Sequence, residues 1–394
     1  MPAFLADQAP SVQLEHASKL EHTSRQAQPT TSRDLPSVAE CAAHLQLLEA
    51  FVGVQESVHL LAPVAGLSPE HAWDNYRRRA VSHFEQWNNT PVAQRPRQPP
   101  LDVLMAWHAF MLHPKAYARF IELGGSLGLD GMDWSEVTSQ EPTILNDDLG
   151  PQSSNLTFND TSAVSSILPA TNQQTGVFTL RSPTGTPLFT YDLSSAIARQ
   201  SDFSSKMARH AWLRSPSCTV TLARSAARYA NFFALIAANP GTVLVPTLDI
   251  DLAWHTHQLS PARYLAFSKR VAGRLIDHDD EIPSQTLATL SRDMGALWRA
   301  QFGDEYHVCL CWKCEGDRAA VDAGAVEAAL RELAAEEHGL LPLTDLAFPQ
   351  CSDCGSHPGS CCAPAEGDAG CGSGCGGGCG GGCGSGGCGS CGMK

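Results

Sequence analysis

Apolar positions recur at helical intervals over much of the chain. VAECAAHLQLLEAFVGV, beginning just after Pro36, spaces them every three or four residues and predicts a helix. SPEHAWDNYRRRAVSHFEQW follows, with Ser68 as N-cap and Pro69 at the first helical position. It lines Trp73, Tyr76, Ala80, Phe84 and Trp87 along one face, the pattern of a helix docked on a core. VFTLRSPTGTPLFTY (177–191) alternates instead around a Pro-Gly turn and predicts a β-hairpin, after which Asp192 caps a helix. VTLARSAARYANFFALIAANPG predicts a helix ending at Asn239-Pro240-Gly241, and TVLVP a short strand or extended lead-in. Two more helices are predicted, one closed by Gly303 and one over RAAVDAGAVEAALRELAAEEHG. The expected fold is mainly α: an irregular helical domain with a small β-hairpin insertion and disordered termini.

The pattern contains a repeat. LDVLMAWHAFMLHPKAYARF (101–120) and LDIDLAWHTHQLSPARYLAF (248–267) share nine of twenty positions: Leu, Asp, Ala, Trp, His, Leu, Pro, Tyr and Phe. Each copy reads as helix, proline, helix. Asp102 and Asp249 are expected to cap the first helix; Pro114 and Ser260-Pro261 restart the second. The shared Leu, Tyr and Phe read as core.

The shared Trp-His pair carries the candidate chemistry. Asp251 and His255 are an i,i+4 pair, a spacing at which a carboxylate fixes an imidazole tautomer; Leu104 replaces the aspartate in the first copy. His108, Asp251 and His255 are therefore the candidate catalytic residues. His255 and His257 lie about 200° apart on a helix and cannot both face one ion. His278-x-Asp280, in IDHDDE, has the spacing to contribute to a two-histidine, one-carboxylate iron site, but a solvated turn explains that charged run as well.

Composition narrows the field. Of 394 residues, 43% are apolar, enough for a sizeable core. The net charge of −14 argues against nucleic acid as a partner. No basic segment followed by an apolar stretch opens the chain, and the longest unbroken apolar run, FFALIAA, is too short to span a bilayer. The expectation is a soluble cytoplasmic or nucleocytoplasmic protein, not a secreted one, with a protein partner still to be named.

Only Cys41 and Cys218 of fifteen cysteines precede position 300, which points to thiol or metal chemistry in the C-terminal quarter. Cys309, Cys311 and Cys314 suit a soft tetrahedral ion, zinc above all, with a fourth ligand from Cys351, Cys354, His307 or His257; His255 and His278 are further candidates. Cys311-x2-Cys314 and Cys351-x2-Cys354 stand 36 residues apart. The Gly/Cys tail is low in complexity, costs much entropy to order, and reads as disordered unless it takes up soft metals.

The expected division is a disordered arm (1–34), a core (35–316) with a polar insertion at about 124–176, a helix and linker (317–345), and the Gly/Cys tail (346–394). PTLDIDLAWHTHQLSPARY, LMAWHAFMLHPKAY, IDHDDEI, VCLCWKC and the Gly/Cys-rich end, in this order, resemble the glycine-rich domain-containing proteins, in particular their fungal branch. The resemblance covers about 36–316 and the tail. It implies a core domain of unknown function, with no catalytic residues to carry over. The RNA-binding segment of some relatives has no counterpart, because no RNP-like aromatic–glycine motif occurs here.

Two functions compete. One is a helical scaffold or interaction protein with a structural zinc–thiolate site. The other is a metal-dependent hydrolase or oxygenase around His255. Convergence of His108 and His255 with Asp251 on one concave, accessible pocket favours the enzyme; burial of each in its own helix pair favours the scaffold.

Overall fold

The computed structural model describes residues 34–95, 99–125, 131–134, 167 and 175–321. Ten α-helices, three short 3-10 helices and one two-stranded sheet make up the regular structure of these residues. In chain order the α-helices and strands are α1 (Val38–Leu61), α2 (Pro69–Asn89), α3 (Leu101–Met111), α4 (Pro114–Glu122), β1 (Val177–Arg181), β2 (Pro187–Asp192), α5 (Leu193–His210), α6 (Cys218–Ala238), α7 (Leu248–Gln258), α8 (Pro261–Ala272), α9 (Ser284–Phe302) and α10 (Trp312–Val321). The arm, the tail and most of the polar insertion fall outside the described residues, as does most of the helix expected after Arg318.

Helix α1 is the central rod, packed on α2, α5, α6 and α7. A capping box starts it: Glu40 N–H donates to Ser37 Oγ at 3.1 Å and Ser37 N–H to Glu40 Oε2 at 2.8 Å. Cys41, Ala42, Leu45, Leu48 and Phe51 bury its inner faces. The stretch Val38–Ala65 is long and apolar enough to cross a membrane by length and composition alone, which the short FFALIAA run had not suggested; here its apolar face packs on neighbouring helices.

The repeat is structural. Trp107 Nε1 donates to Tyr117 Oη at 3.3 Å, and Trp254 Nε1 to Tyr264 Oη at 2.9 Å. Matching backbone bonds close the two turns: Leu112 N–H to His108 O and Leu259 N–H to His255 O, then Tyr117 N–H to His113 O and Tyr264 N–H to Ser260 O. The shared tryptophan, tyrosine and leucine thus lock a helix–turn–helix corner twice, while Pro114 and Pro261 occupy first-turn positions that need no N–H.

The expected aspartate caps are corrected. The N-caps of α3 and α7 are Pro100 and Thr247. Asp102 lies inside the first turn, accepting from Val103 N–H and pairing with His83. Asp249 is fully buried and accepts from Arg228 Nε at 2.7 Å. A buried guanidinium is a stronger claimant on a carboxylate than a turn of peptide N–H groups that Thr247 already opens. TVLVP is an extended lead-in without strand pairing.

The antiparallel hairpin pairs Val177 with Asp192 and Leu180 with Phe189, with an irregularity after Leu180. Phe178 enters an aromatic cluster with Phe84, Phe110 and Phe120. The hairpin therefore covers the first copy of the repeat. Gly131, at φ +152°, docks beside the corner of the second, where an added Cβ would lie 2.6 Å from Leu259 O.

Candidate metal centre

The second copy and the loop after α8 bring three ligand groups together. Asp251 and His255 lie one turn apart on α7, and His278 approaches from the loop between α8 and α9. His255 Nε2 is 3.2 Å from Asp251 Oδ1, His278 Nε2 is 3.5 Å from the same oxygen, and the two nitrogens are 3.0 Å apart. The His278 loop is tied down on both sides. Tyr264 Oη and Ser268 Oγ hold Ile276, and Asp277 Oδ1 accepts from Lys115 N–H. Asp280 accepts from Arg199 Nε at 2.7 Å and from Gln200 Nε2 at 3.1 Å.

Asp251 Oδ1 has no hydrogen-bond partner of acceptable geometry, although both imidazole nitrogens are close. The two imidazoles hydrogen-bond each other through their Nε2 atoms, and the three ligand atoms lie within 4.8 Å of one another. Asp251 and the imidazoles shift one another's titration. Burial opposes ionisation of Asp251, but His255 and His278 outweigh it and hold its carboxyl below the usual carboxylate range. Burial lowers His255, with only partial compensation from Asp251. Burial also opposes the charged form of His278, yet Asp251 prevails and raises it.

The first-copy histidine lies in an adjoining buried chain. Thr256 Oγ1 donates its single proton to Leu252 O at 2.8 Å, so it can only accept from His44 Nδ1, 2.9 Å away. His44 Nε2 is then an acceptor, and His108 Nε2, at 2.9 Å, must donate to it. That leaves His108 Nδ1 as a buried lone pair with no hydrogen-bond partner. Burial, with His255 as a lesser cause, holds His108 down to about 3; burial, His108 and His255 depress His44 likewise. His108 and His255 thus lie within electrostatic reach in one buried polar cluster, but His108 bonds His44 and not Asp251.

The other sequence candidates separate. His257 faces away from His255, its Nδ1 3.0 Å from Tyr229 Oη. His307 bonds Ser291 O at the surface. Cys351 and Cys354 lie outside the described residues. Cys309, Cys311 and Cys314 do cluster, with their sulfurs within 4.8 Å of one another. Asp280 is committed to Arg199 and lies 3.6 Å from His113 Nε2, so it is Asp251 that joins His278. Sequence reasoning missed His44, because one histidine in an apolar helix carries no spacing signal.

The fold is thus a helical domain built on two Trp-His corners around a buried His/Asp cluster. Residues 137–266, which include the second corner, match the model of the family described as glycine-rich domain-containing protein-like. This bears out the family that the sequence blocks resemble, over a narrower span. Glycine-rich domain-containing protein 1 of Arabidopsis thaliana is 29% identical over 242 residues, covering 55% of this chain and 26% of that protein. Glycine-rich domain-containing protein 2 of the same plant is 30% identical over 231 residues, covering 55% and 27%. The match therefore spans about a quarter of the length of these relatives. No solved structure matches the chain.

Proposed function

We propose that this chain is a metal-dependent enzyme whose Asp251, His255 and His278 hold one divalent first-row transition-metal ion. One observation carries the reading: the three ligand atoms are 3.0, 3.2 and 3.5 Å apart on one buried spot, where Asp251 Oδ1 is left without a hydrogen-bond partner. An ion bonded at about 2.1 Å to nitrogen and oxygen sets neighbouring ligands about 3.0–3.4 Å apart in octahedral or tetrahedral geometry. Two imidazoles and one carboxylate leave further positions for water or substrate, which is the make-up of catalytic rather than closed structural sites. The ion would supply a Lewis acid that activates bound water or dioxygen.

The test compares metal content of the full chain with that of Asp251→Asn and His278→Gln, loaded with zinc or with ferrous iron under the same conditions. Thiolates are common to all three proteins, so the difference isolates this site. The expected difference is one ion per chain, and the metal that shows it separates hydrolytic from oxygenase chemistry. Equal content in folded variants overturns the proposal.

A further inference from the structure

A second cluster stands apart from the Asp–His–His centre, at the start of α10. Cys309 lies in the irregular segment before that helix, Cys311 immediately precedes its first residue, and Cys314 stands in its first turn. The Cys-x-Cys-x2-Cys spacing, folded over the start of the helix, brings the three sulfurs within 4.8 Å of one another. A tetrahedral zinc ion with bonds of about 2.3 Å sets its sulfur ligands about 3.8 Å apart, inside that bound.

Packing does not explain the cluster. A cysteine kept for its bulk buries its sulfur, as the fully buried Cys41 does on α1. Cys309, Cys311 and Cys314 are only half-buried, so an ion reaches them from solvent without opening the core. Their backbone is fixed before any ion arrives. Arg318 donates to the Cys309 carbonyl, Trp212 Nε1 to the Leu310 carbonyl at 2.6 Å, and Glu315 N–H to the Cys311 carbonyl at 3.0 Å. A site ordered in advance spares the ion that entropy cost.

The local charge suits thiolates as well. The cysteines gather at the N-terminus of α10, where the peptide dipoles favour negative charge. Arg224 and Arg318 both pair with the buried Glu315, which leaves one net positive charge alongside. Three thiolates and one divalent ion carry one net negative charge.

We infer that Cys309, Cys311 and Cys314 form a second metal site, which holds one soft divalent ion of the zinc class through three thiolates and leaves the fourth tetrahedral position to water. Each thiol gives its proton to solvent as the ion binds. The ion ties the segment before α10 to the first turn of the helix. Among the described residues no histidine or carboxylate joins the three sulfurs. His307 and His257, the histidines that the sequence offered as a fourth ligand, are held by Ser291 and Tyr229.

The test uses the reduced full chain with serine at the ten cysteines from Cys351 onward, titrated with cobalt(II). Thiolate-to-cobalt charge transfer reports sulfur-bound metal alone, so the Asp–His–His centre does not contribute and Asp251→Asn should leave the band unchanged. The expected result is one sulfur-bound ion per chain, displaced by zinc. Loss of an outer-shell partner already weakens metal binding by about 10–100-fold, and loss of one sulfur should cost at least as much in each of Cys309→Ser, Cys311→Ser and Cys314→Ser. Circular dichroism checks the fold of each variant; if one fails to fold, the other two decide. Absence of charge transfer in the chain with the ten serines overturns the site. So does unchanged affinity in any folded cysteine variant, or loss of the band with Asp251→Asn.

Discussion

Asp249→Leu strands a buried cation. In the native fold Arg228 Nε donates to Asp249 Oδ2 at 2.7 Å, with the carboxylate fully buried and the guanidinium nearly so. Thr247 Oγ1 supports the carboxylate from its other oxygen. Arg228 also donates to Tyr306 O at 2.7 Å and stacks over Trp298, with Cζ 5.0 Å from the ring centroid. It therefore ties α6 to the start of α7 and to the segment after α9. Removing the aspartate leaves the guanidinium with neutral acceptors and no counter-charge. Orphaning one partner of a buried pair costs about 3–5 kcal/mol. Against a typical total of about 5–15 kcal/mol, that is a large share of the folding free energy. Urea unfolding followed by far-UV circular dichroism measures it. Arg228→Leu with Asp249→Leu should lose less than Asp249→Leu alone, because no charge is then stranded. A loss below about 1 kcal/mol in Asp249→Leu, the value of an exposed pair, would refute the reasoning. Asp249 lies two residues before Asp251, so the same substitution should also lower metal occupancy at the Asp251 centre.

Acid should destabilise the fold through its buried neutral histidines. His108 and His257 fall from 6.5 to about 3, chiefly by burial, so the stability they contribute is complete above pH 6.5 and is lost as pH falls toward 3. Each should contribute a slope of about 1.4 kcal/mol per pH unit in that window, and urea titrations of His108→Leu should show a flatter acid limb. Trp254→Phe and Trp107→Phe should each cost on the order of 1 kcal/mol through the lost bond to tyrosine, in similar amounts because the two corners are built alike. A thermal melt in which only one of them matters would break the equivalence of the copies. Ala211→Gly relieves a left-handed alanine and should stabilise the chain by roughly 1 kcal/mol, read as a raised urea midpoint.

Much of the architecture was legible in the sequence, because local rules decide it. Helical periodicity and first-turn prolines located most of the helices, and alternation around a turn located the hairpin. Matched tryptophan, histidine, proline and tyrosine positions announced the duplicated corner, and the i,i+4 geometry of α7 required Asp251 and His255 to meet and His257 to look away. Long-range partners followed no such rule. Asp249 read as a cap until Arg228, 21 residues earlier, arrived on a neighbouring helix. His44 bonds a threonine 212 residues away and His108 across 64. His278 reached Asp251 only through the loop after α8, and Trp212 met the cysteine segment at Leu310 just after a backbone turn centred on an alanine. Sequence by itself determined where most helices and the hairpin lie and that Asp251 and His255 share a helix face, since those depend on neighbours within a turn or two. Tertiary structure alone decided which ligands share a point, because burial and helix packing, not spacing along the chain, bring their side chains within bonding distance.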